Sequence, residues 1–268
     1  MSRLAIVTGS SSGIGEATAL RLARENGLRL VLVARREDRL RALAERIGGG
    51  ATYVAADLTA PDAPARVREH VEGLGEPLGL LVNNAGAGWR AKFADGGYEN
   101  VRRTMEINFD AVLRLTEALL PLLRAAAPSA IVNVSSTAGR VARGGSGAYS
   151  ASKFALAGWS DALYLEEAPH GVHVGLVLPG FITTEGFPQA ELTAKPLTRR
   201  MVSTPEKGAE AIVEAGLGRR PERYVPRPYG IAAALRVLSP RLTRRVLGGG
   251  PAQAMTTRTG ADAADEAG

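Results

Sequence analysis

Apolar runs and amphipathic stretches alternate along this chain. Residues 4–7 are continuously apolar, the pattern of a strand buried on both faces. Residues 13–26 then read as a helix, with Gly27 placed to end it. The alternation repeats, with strands at 30–33, 51–55, 80–82, 130–134 and 172–178. Helices are predicted at 38–47, 61–74, 98–124, 148–167 and 205–217, and a short last strand at 223–225. Pro61 and Pro64 are tolerable only near the start of their helix, and Pro179-Gly180 ends the sixth strand. Strands covered on both faces and separated by helices predict an α/β fold: a single-domain, Rossmann-like doubly wound parallel sheet with helices on both faces. Residues 1–226 form that one domain in this reading, with no linker to divide it and no internal repeat.

The pattern changes past it. In 227–247, Ile231, Leu235, Leu238, Leu242 and Val246 approximate a helical stripe, with Arg236, Arg241, Arg244 and Arg245 alongside. Pro240 interrupts the stripe, so two short helices are predicted rather than one. The preferred reading is an extension that closes a pocket or packs in an oligomer. The alternative is an amphipathic surface that makes weak peripheral contact with anionic membrane. Residues 248–268 are rich in Gly, Ala, Thr and acidic side chains without periodicity, and are expected to be disordered.

Composition narrows the chemistry. The 268 residues are 45% apolar, enough for a sizeable core, and contain no cysteine, which removes disulfides and thiolate chemistry. His70, His170 and His173 show no metal-binding spacing, so no metal is expected and all three read as exposed or locally paired. The net charge of +6 comes from arginines spread along the chain, and aromatics are only 5%, too few for a base-stacking platform; nucleic acid is not an expected partner. The N-terminus runs straight into the first strand and no run reaches transmembrane length, which makes a cytoplasmic location the expectation.

Three places carry candidate chemistry. The turn Thr8-Gly9-Ser10-Ser11-Ser12-Gly13-Ile14-Gly15 joins the first strand to the first helix. Its small residues let the backbone approach a pyrophosphate at a helix N-terminus. The second strand ends in Ala34-Arg35-Arg36, with no carboxylate to hold a ribose 2′-OH. Two guanidinium groups there suit a 2′-phosphate, so NADP(H) is favoured over NAD(H). Tyr149 and Lys153 stand four residues apart on a predicted helix, one above the other. The cation is expected to lower the tyrosine pKa and ready the phenol as a general acid/base.

With these motifs in order, the chain resembles the short-chain dehydrogenase/reductase family over residues 3–226. Thr8 to Gly15 matches its glycine-rich turn; Gly9, Ser11, Ser12, Gly13, Ile14 and Gly15 are the candidate cofactor contacts there. Asp57-Leu58 resembles the family's adenine-facing segment. Asn83-Asn84-Ala85-Gly86 resembles its NNAG motif, with Asn84, Ala85 and Gly86 lining the cofactor. Pro179-Gly180-Phe181-Ile182-Thr183-Thr184 resembles the segment around the nicotinamide carboxamide, from which Pro179, Gly180, Ile182 and Thr184 are carried over. Ser136, thirteen residues before Tyr149, matches the family's catalytic serine, although Ser135 beside it leaves a shift by one open. Asn108, in Met-Glu-Ile-Asn-Phe, resembles the catalytic asparagine and would hold a water that links Lys153 to solvent.

The resemblance implies carbonyl–alcohol interconversion by hydride transfer, with Tyr149 as acid/base, Ser136 on the substrate oxygen and Lys153 on both Tyr149 and the nicotinamide ribose. It also implies a homodimer or homotetramer, whose interface would lie around 118–124 and 151–167. Trp89, Phe93, Val141, Phe181 and Phe187 near the predicted strand ends suggest an apolar small-molecule substrate: lipid-, steroid- or aromatic-like. Arg140 and Arg143 could meet an acidic group, but read better as solvent-exposed. A competing reading is a non-catalytic dinucleotide-binding regulator on the same fold. An epimerase or dehydratase would usually need a larger substrate domain.

Overall fold

The computed structural model describes residues 2–183 and 202–247. Strands and helices alternate in chain order: β1 (Arg3–Thr8), α1 (Gly13–Leu22), β2 (Leu28–Ala34), α2 (Glu37–Ile47), β3 (Thr52–Ala55), α3 (Ala63–Gly73) and β4 (Leu78–Asn83). Then follow α4 (Phe93–Met105), α5 (Ala111–Ala125), β5 (Ser129–Val134), α6 (Gly147–Glu167) and β6 (Val172–Pro179). The short β7 (Phe181–Ile182) and β8 (Val202–Ser203), α7 (Pro205–Gly216), β9 (Glu222–Val225), α8 (Tyr229–Leu238) and α9 (Pro240–Leu247) complete the described chain.

Seven strands form one parallel sheet in the order β3-β2-β1-β4-β5-β6-β9. Side-chain alternation along β1 shows why both faces need cover. Ala5 and Val7 pack with Ala19 and Leu22 of α1, Leu40 of α2 and Ile212 of α7. Leu4 and Ile6 pack on the other face with Val67 of α3, Leu115 and Leu119 of α5 and Leu163 of α6. Burying each such side chain contributes about 1.5–3 kcal/mol. The strand order reverses between β1 and β4, so their carboxyl ends part to leave the crevice where open α/β sheets take ligands.

The helix predicted over 98–124 differs most. It begins earlier, at Phe93, kinks at Gly97, and is broken by a π-helical turn at Glu106–Asp110 that separates α4 from α5. Helical periodicity continues through this stretch, so the extra residue of the π turn has no local signature. Two short helices do flank Pro240, as predicted. Thr184, Phe187 and the tail from 248 to 268 lie outside the described residues. No helix among the described residues is long and apolar enough to cross a membrane.

Candidate active site

The glycine-rich turn leaves β1 at the strand-order reversal. Gly9 has φ +65°, a left-handed conformation that side chains disfavour. A Cβ at Gly15 would collide with the Gly9 carbonyl oxygen and the Asn84 amide. The turn is thus folded back on itself and sealed against the loop after β4. Thr8 does much of the sealing: its hydroxyl donates to Val82 O at 3.1 Å and accepts from the N–H groups of Asn84 and Ala85, both at 2.9 Å. Asn84 Nδ2 donates back to Thr8 O at 2.9 Å. Thr8 was not among the expected site residues, because its role depends on a strand seventy residues away.

Ser12 precedes the first residue of α1, so the free N–H groups of that helix open at the turn. Arg36 folds over the same place, donating to Ser11 Oγ at 3.1 Å and Ser12 Oγ at 2.9 Å. Arg35 is exposed beside Asp57. Burial pushes the Asp57 carboxyl up, but hydrogen bonds from the Thr59 N–H and hydroxyl and the charge of Arg35 outweigh it and leave it below its ordinary range. The Leu58 side chain is buried in the core. Ile14 packs against Gly208 of α7 beside Ile182, joining the turn to the strand after Pro179-Gly180. A helix N-terminus, a backbone turn without side chains in the way and two adjacent arginines fit an extended, anionic dinucleotide.

The reactive side chains gather at the other end of the crevice. Ser136 Oγ donates to Pro179 O at 3.2 Å, accepts from Ala138 N at 3.1 Å and neighbours the Tyr149 phenol. Ser135 Oγ instead donates to the Lys153 carbonyl at 2.9 Å, under Gly139. The alternation of an extended backbone sends the two serines opposite ways, and Ser136 is the one aimed at Tyr149. Lys153 is buried, and its Nζ donates to Val134 O at 3.0 Å. Asn108, in the π turn, is fully buried; its Oδ1 accepts from Ala87 N at 3.0 Å and its Nδ2 donates to Ala87 O at 2.7 Å and Ser152 Oγ at 3.1 Å. A Cβ on Gly86 would sit 2.6 Å from Asn108 Oδ1 and 3.3 Å from Lys153 Nζ. Only a glycine there lets those two groups converge.

The electrostatics run against one expectation: the net shift of the Tyr149 phenol is upward. The Lys153 Nζ is 5.8 Å from the ring centroid and donates to Val134 O. Burial pushes the phenol above its ordinary value, only partly opposed by the Ser136 hydrogen bond and by the charge of Arg90. Burial also brings the Lys153 ammonium down to about 8.

Other expectations also change. Arg140 is not a free surface cation but pairs with Glu222 at 2.8 Å and Asp161 at 3.4 Å. Arg143 stacks on the Phe181 ring, 4.4 Å from its centroid, and burial holds its guanidinium pKa below the ordinary value. Trp89 lies under Arg103 at 4.6 Å, and Phe93, which opens α4, is 74% exposed. His70 is locally paired with Thr52, but His173 is buried in β6 with Tyr164 edge-on at 5.8 Å. No group of acidic, His or Cys side chains suited to a metal occurs among the described residues. The Tyr229 ring, at the start of α8, lies against Gly180.

A family model described as short chain dehydrogenase matches residues 3–194. The chain belongs to the short chain dehydrogenase family. It is 33% identical over 224 residues to bovine (Bos taurus) 3-ketodihydrosphingosine reductase, covering 78% of this chain and 67% of that one. It is 31% identical to the uncharacterized oxidoreductase YbbO of Escherichia coli K12, over 93% and 95% of the two chains. Among solved structures, a variant actinorhodin polyketide ketoreductase with NADPH superposes with a TM-score of 0.76 at 28% identity, covering 85% of this chain and 97% of that one. A short-chain dehydrogenase from Streptomyces avermitilis gives 0.78 at 28% identity, over 92% and 97%. The protein is therefore an oxidoreductase of the carbonyl–alcohol type, in a family that binds nicotinamide dinucleotides.

Proposed function

We propose that this dehydrogenase is an NADP(H)-dependent reductase of apolar ketones or aldehydes, with Tyr149 as general acid. The convergence of Ser136, Tyr149, Lys153 and Asn108 at one end of the crevice carries this reading. When bound, the nicotinamide supplies the hydride in reduction and accepts it in oxidation. Ser136 Oγ would hydrogen-bond the substrate oxygen and hold it beside the phenol. Tyr149 would donate its proton to that oxygen as negative charge develops there. A phenol with its pKa raised stays protonated at neutral pH, which suits donation and hence reduction. Lys153, with its pKa near 8, is the group through which that proton would be replenished, and Asn108 lies next to it on the path.

The turn from Gly9 to Gly15 would hold the pyrophosphate, Arg35 and Arg36 the 2′-phosphate, Asp57 and Leu58 the adenine side, and Asn84, Ala85 and Gly86 the ribose side. Pro179, Gly180 and Ile182 would flank the nicotinamide, with Thr184 carried over from the resemblance. Arg36 already reaching across Ser11 and Ser12 supports the NADP(H) preference. Phe181, which follows Pro179-Gly180, supports an apolar substrate, as do two relatives named for keto reduction. Residues 1–226 would be the catalytic domain. A homodimer or homotetramer through α5 and α6 is supported by Phe154 and Leu165, exposed on α6.

The test is NADPH oxidation against a panel of aldehydes, ketones, quinones, 3-oxoacyl thioesters and steroids, with NADH alongside. Tyr149→Phe should lose roughly 10²–10⁴-fold in kcat while binding NADPH as before. An active Tyr149→Phe variant would refute the acid role. Tight NADPH binding without turnover in either direction would favour a non-catalytic dinucleotide-binding protein.

A further inference from the structure

The helices past the sheet expose their apolar side. Ile231, Leu235, Val237 and Leu238 of α8 and Leu242 and Val246 of α9 are 49–79% exposed, and they make up half of the twelve exposed large apolar residues among the described residues. In α8 the only buried residue is Ala233. It stands two residues from both Ile231 and Leu235, about 200° round the helix, so α8 docks through alanine and turns its Ile–Leu–Leu stripe outward. A helix that served only to close the pocket would face the other way. The joint at Ser239-Pro240 is fixed: Ser239 N donates to Leu235 O at 2.8 Å and Thr243 Oγ1 to Ser239 O at 3.1 Å. On α9, Leu242 and Val246 follow each other at i and i+4 and are likewise exposed.

Charge decides the occupant. Arg241 and Arg245 lie to one side of the α9 stripe, Arg236 and Arg244 stand on the flanks and backs of the two helices, and residues 227–247 contain no carboxylate. A second copy of this face would set arginines against arginines. An anionic lipid surface would take the leucines and valines below its headgroups and pair the guanidinium groups with its phosphates. Tyr229, four residues before Ala233 on the docked side of α8, lies against Gly180, so the helix is anchored at the substrate end of the crevice with its stripe turned outward.

We propose that α8 and α9 form a peripheral docking surface for anionic membrane, seating the mouth of the crevice at the lipid surface. This inference does not rest on the reductase reading, since binding is read without turnover.

The test is co-sedimentation of the full chain with vesicles of phosphatidylcholine, alone or mixed with phosphatidylglycerol. Binding to the mixed vesicles, lost in high salt and weak on phosphatidylcholine alone, is the expected result. Leu238→Glu with Val246→Glu should abolish it while a water-soluble carbonyl is still reduced at the wild-type rate. Arg241→Gln, Arg244→Gln and Arg245→Gln together should weaken it roughly 100-fold. No binding by the wild type, equal binding to neutral and anionic vesicles, or unchanged binding by the glutamate variant would each overturn the proposal. So would a dimer that the glutamate substitutions split, because the face would then belong to a second copy. A chain that sediments with vesicles but reduces no carbonyl keeps this inference and sinks the reductase reading.

Discussion

The two ends of the crevice are built from different materials. At the β1–α1 end the work is done by backbone: a left-handed glycine, a turn that admits no Cβ, free N–H groups, and arginines that stay in solvent. At the β5–α6 end it is done by side chains out of water: Ser136, Lys153 and Asn108 are all buried, each with a specific partner. Exposed charges are screened by salt. Buried ones shift, as Lys153 and Tyr149 both do. The first end can bind by shape; only the second can tune a proton.

The largest test of that contrast uses the adjacent serines. Ser136→Ala should cost roughly 10²–10³-fold in kcat, because it removes a donor to the reacting oxygen, and about 1–3 kcal/mol in stability, because Pro179 O and Ala138 N lose a partner. Ser135→Ala should leave kcat within a fewfold but lower stability by about 1–3 kcal/mol, since the Lys153 carbonyl loses a buried partner. Steady-state kinetics with urea unfolding on both variants reads the two effects apart. If Ser135→Ala gives the kinetic defect instead, the catalytic assignment shifts by one residue.

That pair also marks what could be read from sequence. The sheet was legible because its strands include unbroken apolar runs, such as 4–7 and 30–33, and little else folds that way. Ser136, Tyr149 and Lys153 were legible by spacing, although only the extended backbone separates Ser136 from Ser135. What failed depended on distant neighbours. The i, i+4 geometry of Tyr149 and Lys153 suggested direct coupling, yet Nζ turns to a carbonyl on β5. Arg143 looked like a surface cation until Phe181, thirty-eight residues on, came to lie beneath it. Asn108 sits in a π turn that no local pattern announces, and Thr8 finds its partners across the sheet.

A smaller effect is expected at the exposed end. Arg35→Ser with Arg36→Ser should raise the KM for NADPH by roughly 10–100-fold, the scale of one or two charged hydrogen bonds, and leave NADH little changed. The fold should be indifferent, because both side chains stand in solvent. A parallel loss for both nucleotides would mean that Arg36 acts by bracing Ser11 and Ser12 rather than by meeting a phosphate.

The smallest effect is on stability alone, and its sign is fixed by burial. The Lys153 ammonium has a pKa near 8 in the fold against 10.5 for an ordinary lysine. Between those values the unfolded chain binds the extra proton, so raising the pH favours the folded state. Below about 8 both states are charged and the full desolvation penalty remains. As the pH rises above 8, that penalty is relieved by on the order of 1 kcal/mol per pH unit. Tyr149 opposes this only above its ordinary range near 10, where the unfolded phenol ionises and the buried one does not. Urea unfolding from pH 8 to 9.5 should therefore show a rising contribution that Lys153→Met lacks, with Lys153→Met the more stable chain at pH 7. Identical slopes for the two chains would mean that Lys153 keeps its proton in the fold, held by Val134 O, and that the reactive end is less cut off from water than its burial indicates.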